Sequence, residues 1–342
     1  MSTHERYMRR CLQLATLGAG SVAPNPMVGA LLVYGDVVIG EGYHRYYGQA
    51  HAEVNCIRDA EDRFASGEWA RFGFASSADL LGASTLYVSL EPCAHHGKTP
   101  PCADLVVDKG IPRVVVGVRD PFKEVNGKGI EKLLRAGVAV TQPVLEEECA
   151  LLNRRFFTFH TRHRPYIILK WAQSADGYIG REGERLAVSN AWSNRLVHRW
   201  RSEEAAILVG ARTALVDDPA LTNRHWPGPN PLRVVLDPGR GLPPKLKVFD
   251  GEAPTVVYDT RALEEVLQDL HRRSVQSVLV EGGGRLLGSF IAKGLWDEIR
   301  VIRSGLVHLA EGIPAPVIPE ARVVRSFDLG DDHVSIYTSF AR

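Results

Sequence analysis

Hydrophobic and polar positions in the first 140 residues form short apolar runs that alternate with segments of helical periodicity. Two apolar runs flank Gly35-Asp36, a pair typical of tight turns, so residues 31–34 and 37–43 are predicted to form a β-hairpin. Further strands are predicted over residues 84–90 and 113–118, and helices over residues 52–63, 102–109 and 129–135. Strands that alternate with helices in this way predict an α/β domain with a mixed sheet.

The same alternation returns after residue 165 and predicts a second α/β unit. Its predicted strands cover residues 166–171, 205–210, 231–237 and 277–281, and residues 332–340 are expected to close the sheet. Helices are predicted over residues 192–202 and 263–273, and a third helix follows the glycine triplet that starts at Gly282. We therefore expect two domains, over residues 1–145 and 165–342.

Residues 146–164 differ in composition from both flanking regions. They begin with the acidic run Glu146-Glu-Glu and continue from Arg154 with a basic and aromatic stretch. Such a stretch could contact RNA, but we favour a solvated connecting helix that leads into a strand. We interpret this segment as the linker between the domains.

Composition and charge narrow the class of protein. With 342 residues the chain has the length of two domains of ~150 residues each. Its 41 basic and 40 acidic side chains leave a net charge of +1, which argues against a protein that grips nucleic acid by bulk charge. No apolar run approaches the ~20 residues of a membrane span, so we expect no membrane partner.

The N-terminus and the cysteines favour a cytoplasmic protein. Tyr7, Cys11 and Leu14 lie on one face of a predicted amphipathic helix, and the segment lacks the apolar core and cleavage site of a signal peptide. The five cysteines are an odd, thinly spread set, which is not typical of a disulfide framework. Paired cysteines are therefore expected to be metal ligands rather than cross-links.

One histidine and two cysteines have the pattern of a catalytic zinc site. His51-Ala-Glu53 begins a predicted helix, Glu91-Pro-Cys93 follows a predicted strand, and Cys102 begins another helix. An imidazole and two thiolates leave one tetrahedral position of Zn²⁺ open for water, whose pKa falls towards neutrality on the metal. Glu53 would lie beside that water and carry its proton to a leaving amine. His-x-Glu followed by Pro-Cys is the signature of zinc deaminases.

The spacing of the two thiols is unusual, because eight residues separate Cys93 from Cys102 where most zinc deaminases have two. This spacing and the motifs around it resemble the deaminase half of the RibD family of bifunctional riboflavin biosynthesis proteins. The motifs are Pro24-Asn-Pro-Met-Val-Gly29, Gly40-Glu-Gly-Tyr-His44, His51-Ala-Glu-Val54 and Leu90-Glu-Pro-Cys93 through Cys102. The resemblance implies a cytidine-deaminase-like three-layer fold, with zinc on His51, Cys93 and Cys102 and with Glu53 as the proton carrier.

The same resemblance implies which residues contact an aminopyrimidine ribose phosphate. They are Asn25, His44, His95, Lys98 and Asp120. Asn25 offers both a donor and an acceptor to the edge of a heterocycle, and Lys98 is a cation suited to a phosphate. In isolation, Asn25 between two prolines would be interpreted as a turn residue and Lys98 as a solvated side chain. The adjacent zinc motif favours the functional interpretation.

Residues 57–82, between the histidine and cysteine ligands, form a longer segment than is usual in the family. They carry four large aromatic side chains, Phe64, Trp69, Phe72 and Phe74. We interpret this segment as a surface excursion that packs on the domain.

The second domain contains a glycine-rich turn but no Rossmann fingerprint. Glu281-Gly-Gly-Gly-Arg-Leu-Leu-Gly288 follows a predicted strand and begins a helix, so its amides could hold a phosphate. A tight turn without a ligand is an equally common structure for such glycines. Further polar, turn-rich segments are Ser174-Ala-Asp-Gly177, residues 199–204 and residues 209–224. Together these segments resemble the RibD reductase domain, which has the dihydrofolate reductase fold and uses NADPH.

The resemblance to the reductase domain implies two sets of contacts. Substrate contacts would come from Arg185, Arg201, Leu221, Arg224 and Glu281. NADPH contacts would come from Ala172, Ala187, Thr213, Asp217, Gly283, Gly284, Arg285, Leu286, Leu287, Gly288 and Ser289. The planar donor forks of Arg201 and Arg224 are suited to a phosphate. In isolation, Asp217-Asp218-Pro219 is typical of a helix stop, and Arg201 of a surface ion pair with Glu204.

Two positions depart from the pattern of the reductase domain. Arg185-Leu-Ala187 lacks the aromatic residue that usually precedes Val188, and Pro238 stands in place of a small polar residue. We therefore expect altered stacking on the cofactor. One alternative is a deaminase whose second domain is a binding or assembly module without redox activity.

We expect a two-step enzyme of riboflavin synthesis that binds zinc, NADPH and a small-molecule substrate and forms a homo-oligomer. It would remove the 2-amino group of 2,5-diamino-6-ribosylamino-4(3H)-pyrimidinone 5′-phosphate and then reduce the ribosyl group to ribityl. Asp176 and Glu281 are candidates for a general acid in the second step. A nucleic-acid deaminase with an RNA contact in the linker is another alternative, but the spacing of the thiols and the neutral charge count against it.

Overall fold

The computed structural model describes residues 2–95 and 100–339. The chain divides into two compact units, Met1–Arg162 and His163–Arg342. Most of the segment that we interpreted as a linker belongs to the first unit, where it forms two helices. Cys149 of the first of these helices is buried, and the Asn153 side chain exchanges two 2.8 Å hydrogen bonds with the backbone of Met27. The acidic run Glu146-Glu-Glu is therefore the first turn of a helix that packs on the domain.

The first unit is built on one five-stranded mixed sheet. Its strands are β1 (Gly29–Tyr34), β2 (Val37–Tyr43), β3 (Thr85–Leu90), β4 (Arg113–Val118) and β5 (Ala139–Thr141), in the order β2-β1-β3-β4-β5. Strand β1 is antiparallel to β2 and β3, whereas β3, β4 and β5 are parallel. Its helices are α1 (Thr3–Ala15), α2 (Ala52–Ala65), α3 (Ser77–Gly82), α4 (Cys102–Asp108), α5 (Lys128–Arg135), α6 (Glu146–Leu152) and α7 (Arg154–Arg162).

Helices cover both faces of this sheet, because successive strand residues point to opposite sides. On β1, Leu31 packs with Met8 and Cys11 of α1. Its neighbour Leu32 packs on the other face with Cys56 of α2. A near-continuous apolar run in β1 therefore marks a strand that is buried on both sides, and the unit has three layers.

Helix α2 lies very close to β2 because glycines leave room for it. A Cβ atom on Gly42 would lie 2.3 Å from the backbone nitrogen of Cys56. On the opposite face, a Cβ atom on Gly29 would lie 2.0 Å from the carbonyl oxygen of Cys11 in α1. The close approach at Gly42 fixes the position of the α2 N-terminus, which carries His51 and Glu53.

The aromatic segment between the metal-ligand motifs packs on the domain, as predicted. Trp69 is buried in the same core as α2, and Phe64, Phe72 and Phe74 pack against that core. The first part of the segment is not an excursion, however, because α2 continues to Ala65. A 3-10 turn (Ala70–Phe72) and α3 complete it.

The second unit contains an eight-stranded sheet and a short two-stranded one. Its strands are β6 (Tyr166–Gln173), β7 (Tyr178–Gly180), β8 (Ala206–Gly210), β9 (Leu232–Leu236), β10 (Thr255–Tyr258), β11 (Ser277–Val280), β12 (Glu298–Ser304), β13 (Ile313–Pro314), β14 (Ala321–Leu329) and β15 (Asp332–Ser339). Its helices are α8 (Ala191–Glu203), α9 (Ala211–Asp217), α10 (Leu263–Arg272) and α11 (Gly284–Ala292). Short 3-10 turns also occur at Thr16–Gly18 and Lys247–Phe249.

The large sheet has the order β10-β9-β8-β11-β6-β12-β15-β14. Its first six strands run parallel, and β15 and β14 add an antiparallel edge. Parallel strands end at the same edge of a sheet, so the segments that follow β8 and β11 lie side by side. This arrangement brings α9 next to the glycine triplet.

Helices and strands predicted from the sequence are present with ends within about two residues. Strands β5, β7, β10, β12, β13 and β14 were not predicted from the sequence. Strand β12 carries the buried charged residues Glu298 and Arg300, and most residues of the edge strand β14 are exposed. Neither strand shows the apolar pattern of a buried one. None of the helices in the described part of the chain has the length and apolar character that a membrane span requires.

Candidate functional site

The histidine and glutamate of the zinc motif stand at the N-terminus of α2. His51 is the N-cap residue, with an extended backbone, and its side chain makes no capping hydrogen bond. Glu53 lies in the first turn and is 3% exposed. The close packing of α2 on β2 therefore places the His51 imidazole, which does not cap the helix, beside the buried carboxyl group of Glu53.

The two thiols approach the imidazole from the other side of the motif. Cys93 follows β3, and Cys102 is the first residue of α4. The Cys93 and Cys102 Sγ atoms lie 3.6 and 3.3 Å from His51 Nδ1, and the Cys102 amide donates to Cys93 Sγ at 3.3 Å. Two thiols that are nine positions apart in the sequence therefore lie beside the same imidazole nitrogen.

These three side chains fit a zinc ion. Their ligand atoms lie within 4.8 Å of one another, and they are the one such group among the described residues. No cysteine is in a disulfide, so both thiols are free to ligate. One imidazole and two thiolates are the donor set of a zinc site with an open fourth position. The geometry thus brings together the ligands that the sequence predicted.

The electrostatic environment of this group favours the thiolate form of Cys93 and the protonated form of Glu53. Hydrogen bonding from Cys102 lowers the pKa of the Cys93 thiol to about 4, against the effect of burial. Burial raises the pKa of Glu53 to about 7, although the neighbouring His51 opposes that shift. Two ionisable groups with pKa values moved in opposite directions are typical of an active site.

Asn25 and His44 extend the zinc group. His44 Nδ1 donates to the Ala50 carbonyl at 3.1 Å, and the Asn25 amide donates to His44 Nε2 at 3.2 Å. The His44 ring lies edge-on to His51, with centroids 5.3 Å apart. Burial lowers the pKa of His44, which agrees with a neutral ring that accepts from Asn25.

Asp120 and His95 lie on the Cys93 side of the group. Asp120 is buried and accepts a 2.8 Å hydrogen bond from the Phe122 amide. Burial raises its pKa to about 7, and the charges of Glu91 and Cys93 add to the shift. His95 contacts the Phe122 ring, and its buried Nδ1 has no hydrogen-bond partner among the described residues. Lys98 lies outside the described residues.

Glu91 is a residue of this site whose role the sequence analysis missed. Its buried carboxylate accepts hydrogen bonds from four backbone amides, those of Asp120, Gly127, Gly129 and Ile130, at 2.9–3.2 Å. It therefore ties the Glu-Pro-Cys segment to the loop that carries Asp120. The position of Glu91 directly before the Pro-Cys pair was the available signal.

In the second unit, Arg201 and Glu281 form a buried, two-pronged ion pair. Arg201 Nε and Nη2 donate to the two carboxylate oxygens at 2.9 and 2.7 Å. Lys170 Nζ lies 3.9 Å from the same carboxylate. Burial opposes ionisation of Glu281, but Arg201 and Lys170 lower its pKa to about 2. The alternative interpretation of Arg201, a surface ion pair with Glu204, is therefore wrong, because Glu204 pairs with Arg300. Lys170 joins the site without having been predicted.

Arg224 and Leu221 lie in the segment that follows α9. Leu221 is buried and has a positive φ of 54°. Arg224 is exposed, and its Nη1 donates to Thr222 Oγ1 at 2.9 Å, while Arg201 Nη1 donates to the Thr222 carbonyl at 3.2 Å. Thr222 thus links the two arginines that the sequence assigned to a phosphate. Arg185 is exposed, after β7.

The glycine triplet forms a tight cradle against α9. Gly283 has a φ of 53°, and Cβ atoms on Gly282 and Gly283 would lie 3.0 and 3.1 Å from the Thr213 side chain. The triplet ends at Gly284, the first residue of α11. Backbone without side chains at a helix N-terminus fits the phosphate of a dinucleotide.

Other predicted cofactor contacts have varied surroundings. Ala172 is near the end of β6, and Ala187 is exposed. Burial raises the pKa of Asp217, whereas the charge of Arg185 lowers it. In α11, Arg285 and Ser289 are exposed, whereas Leu286 and Gly288 are half-buried. Leu287 is 1% exposed and packs in the core, so its side chain is not available to a cofactor. Sequence alone does not show which way each residue of a helix points.

The two candidates for a general acid in the second unit are both held as anions. Asp176 accepts from Ser174 Oγ and from the amides of Leu309 and Ala310, and these bonds lower its pKa to about 2. Glu281 has an equally low pKa for the reason given above. Neither carboxylate carries a proton at neutral pH, so neither fits the role of a general acid.

Comparisons with known proteins agree with the two-unit division. Residues 1–118 match the family model of the cytidine and deoxycytidylate deaminase zinc-binding region, and residues 165–306 match that of the RibD C-terminal domain. The riboflavin biosynthesis protein RibD of Aquifex aeolicus is 39% identical over 87% of this chain and 85% of its own length. That of Escherichia coli is 33% identical over 87% and 86%.

Solved structures show the same similarity over the full length. A diaminohydroxyphosphoribosylaminopyrimidine deaminase/5-amino-6-(5-phosphoribosylamino)uracil reductase from Thermotoga maritima has a TM-score of 0.86 at 35% identity, with 99% of each chain covered. RibD of Acinetobacter baumannii has a TM-score of 0.87 at 29% identity and the same coverage. These matches confirm the cytidine-deaminase-like and dihydrofolate-reductase-like folds predicted for the two domains. The chain belongs to the RibD family, the bifunctional zinc-dependent deaminases and NADPH-dependent reductases of riboflavin biosynthesis.

Proposed function

We propose that the first unit deaminates 2,5-diamino-6-ribosylamino-4(3H)-pyrimidinone 5′-phosphate. The second unit then reduces the ribosyl side chain of the product to give 5-amino-6-ribitylaminouracil 5′-phosphate. One observation carries this proposal: a His51–Cys93–Cys102 group beside a buried glutamate occurs in the same chain as a buried Arg–Glu pair next to a glycine cradle.

In the first step, His51, Cys93 and Cys102 would hold the zinc ion. When bound there, Zn²⁺ supplies a Lewis acid that lowers the pKa of a water molecule. Glu53 would accept a proton from the attacking water and give it to the ring nitrogen. It would then take the proton of the added hydroxyl group and give it to the departing amino group. Water thereby adds to the ring carbon, the C–N bond breaks, and ammonia leaves. The buried position of Glu53 keeps bulk water from competing for that proton.

Polar groups around Glu53 orient the pyrimidine. Asn25 and His44 present their side chains beside the imidazole of His51, where they can pair with a heterocycle edge. Asp120 and His95, whose Nδ1 has no partner among the described residues, lie on the side of Cys93. We propose Lys98 as the cation for the phosphate in this unit.

In the second step, NADPH supplies a hydride when bound at the glycine cradle. We propose that Gly283–Ser289, Thr213, Asp217, Ala172 and Ala187 contact it, with Leu287 contributing backbone only. Arg201, Arg224, Leu221, Arg185 and Glu281 contact the substrate. The ionised Glu281 fixes the guanidinium of Arg201, and the two arginines attract the phosphate.

We also propose that the enzyme is a cytoplasmic homo-oligomer that does not act on nucleic acid. The free cysteines suit a reducing compartment, and a net charge of +1 offers no bulk attraction for a polyanion. The proposal of a homo-oligomer rests on the family resemblance.

Mass analysis of the products tests both steps in one assay. The zinc-loaded enzyme is incubated with the diaminopyrimidine ribose phosphate, with and without NADPH. We expect the deaminated product alone in the first case and the deaminated, reduced product in the second. Deamination without reduction would show that the second unit is a non-redox module. If neither product forms, the riboflavin function is wrong, and single-stranded nucleic acids become the substrates to test.

A further inference from the structure

One face of α8 holds the loop that carries Arg224. Arg195 and Arg199 stack their guanidinium groups against Trp226, each 5.5 Å from the ring centroid. One turn further, a Cβ atom on Gly228 would lie 2.8 Å from the Ser202 Cβ atom. These helix positions are three or four residues apart, so they form a single stripe along α8. Trp226 and Gly228 therefore pack the C-terminal part of this loop along the helix.

His198 lies in the middle of this stripe and is 1% exposed. Its Nδ1 accepts a 3.0 Å hydrogen bond from the backbone amide of Arg224. Its ring also packs edge-on against His225, with centroids 4.6 Å apart. The next turn of the helix carries Arg201, which donates to the Thr222 carbonyl. Thus α8 holds the loop on both sides of Asn223.

The hydrogen bond from Arg224 defines the state of the imidazole. Since Nδ1 accepts a hydrogen bond from the Arg224 amide, it carries no proton itself. The ring proton is therefore on Nε2, and the ring is neutral. The surrounding charges agree with this state. Burial lowers the pKa of His198 to about 4, and Arg201, His225 and Arg224 act in the same direction, whereas Glu281 opposes them.

We propose that His198 is a positioning residue for the reductase step: its Nδ1 fixes the Arg224 backbone so that Arg224 and Arg201 meet the same phosphate. This inference rests on the proposed role of Arg224 in substrate binding. The arginine side chain is exposed and flexible, so a fixed backbone is what limits where its guanidinium can reach. The His198 ring must be neutral for this role, because an imidazolium carries a proton on Nδ1 and cannot accept the hydrogen bond from the Arg224 amide.

The test compares His198→Asn with His198→Leu. Asparagine can place its Oδ1 where Nδ1 accepts, whereas leucine has a similar volume and no acceptor. Reductase kinetics are measured with the deaminated substrate, as the 5′-phosphate and as the dephosphorylated compound. We expect His198→Leu to raise the KM for the phosphate about tenfold and His198→Asn to stay within about twofold of wild type. The KM for the dephosphorylated compound and for NADPH should stay unchanged, as should the deaminase rate.

Two outcomes would overturn the positioning role. One is an equal effect of leucine and asparagine, and the other is an equal rise in KM with and without the phosphate. Arg224→Ala separates this failure from failure of the proposed function. If Arg224→Ala leaves the KM for the phosphate unchanged, the substrate contact itself is wrong. If Arg224→Ala raises that KM and His198→Leu does not, only the positioning role is wrong. An unchanged KM for NADPH shows that the second unit of each variant is folded.

Discussion

The two units each bury a glutamate in their site, and the two carboxyl groups behave in opposite ways. Burial raises the pKa of Glu53 to about 7, although His51, a backbone amide and the Cys102 thiol each lower it. Glu281 is also buried, but Arg201 and Lys170 lower its pKa to about 2. The comparison shows that the number of cations near a buried carboxyl decides whether it can carry a proton or serves as a fixed charge.

This difference agrees with the chemistry proposed for each unit. A hydrolytic deamination moves protons between water, ring and leaving group, so it needs a group that gains and loses one. A hydride transfer needs its reactants held in place, and a permanent anion that orients Arg201 serves that purpose. Four predictions, from the largest expected effect to the smallest, test the contrast.

Glu53→Gln should reduce the deamination rate by about 10³-fold, because the amide cannot accept the proton. Zinc content and the reductase rate should not change, since glutamine has the same shape and Glu53 is not a metal ligand. Ammonia release and metal analysis measure these quantities. Asp62→Asn, on the exposed side of the same helix, is the matched control and should have wild-type activity. A variant that retains deaminase activity would remove Glu53 from the mechanism.

Glu281→Gln should destabilise the second unit by about 3–5 kcal/mol, because it leaves Arg201 buried without its counter-ion. Urea unfolding measures the loss, and the reductase rate should fall with it. The control is Glu203→Gln, which removes the exposed pair with Arg199 in α8 and should cost no more than about 0.5 kcal/mol. Equal stability of the two variants would contradict the role of Glu281 as a fixed charge.

Arg224→Ala should raise the KM for the phosphorylated reductase substrate by about 10- to 100-fold, since a charge-assisted hydrogen bond to phosphate is lost. The deaminase rate should be unaffected. Arg240→Ala removes a similarly exposed arginine elsewhere in the second unit and serves as the comparison. If both variants raise the KM equally, the effect is one of general charge and not of a specific contact.

The smallest effect concerns pH and His198. Its pKa is about 4 in the folded chain and near 6.5 when unfolded, so protonation favours the unfolded state as the pH falls from 6.5 to about 4. Scanning calorimetry should show that wild type loses about 2–4 °C more in Tm than His198→Asn between pH 7 and pH 5. Identical losses would mean that the imidazole is not held neutral.

The sequence was most informative where chemistry depends on residue type and short spacing. His51, Glu53, Cys93 and Cys102 could be named because few other combinations of side chains serve zinc-dependent hydrolysis. The two α/β units could be predicted because short apolar strand segments alternate with segments of helical periodicity. The eight-residue spacer indicated the RibD family, and both thiols lie within 3.6 Å of the same imidazole nitrogen.

The sequence was least informative where a role depends on contacts between distant positions. Lys170, Arg201 and Glu281 meet only because β6, α8 and β11 are neighbours, and nothing local marks that meeting. Strand β12 was missed because Glu298 and Arg300 are residue types that usually lie on the surface. In the structure the two side chains are buried and form an ion pair with each other. His198 has no motif at all, and only its hydrogen bond to Arg224 reveals a role.

The most direct test of the contrast between the two glutamates is to mix the Glu53→Gln and Glu281→Gln chains. Each is assayed alone and together on the diaminopyrimidine ribose phosphate with NADPH, and the reduced product is measured by mass. We predict little reduced product from either variant alone and its recovery in the mixture, because Glu281→Gln still deaminates and Glu53→Gln still reduces. A mixture no better than the single variants would contradict the assignment of one glutamate to each step.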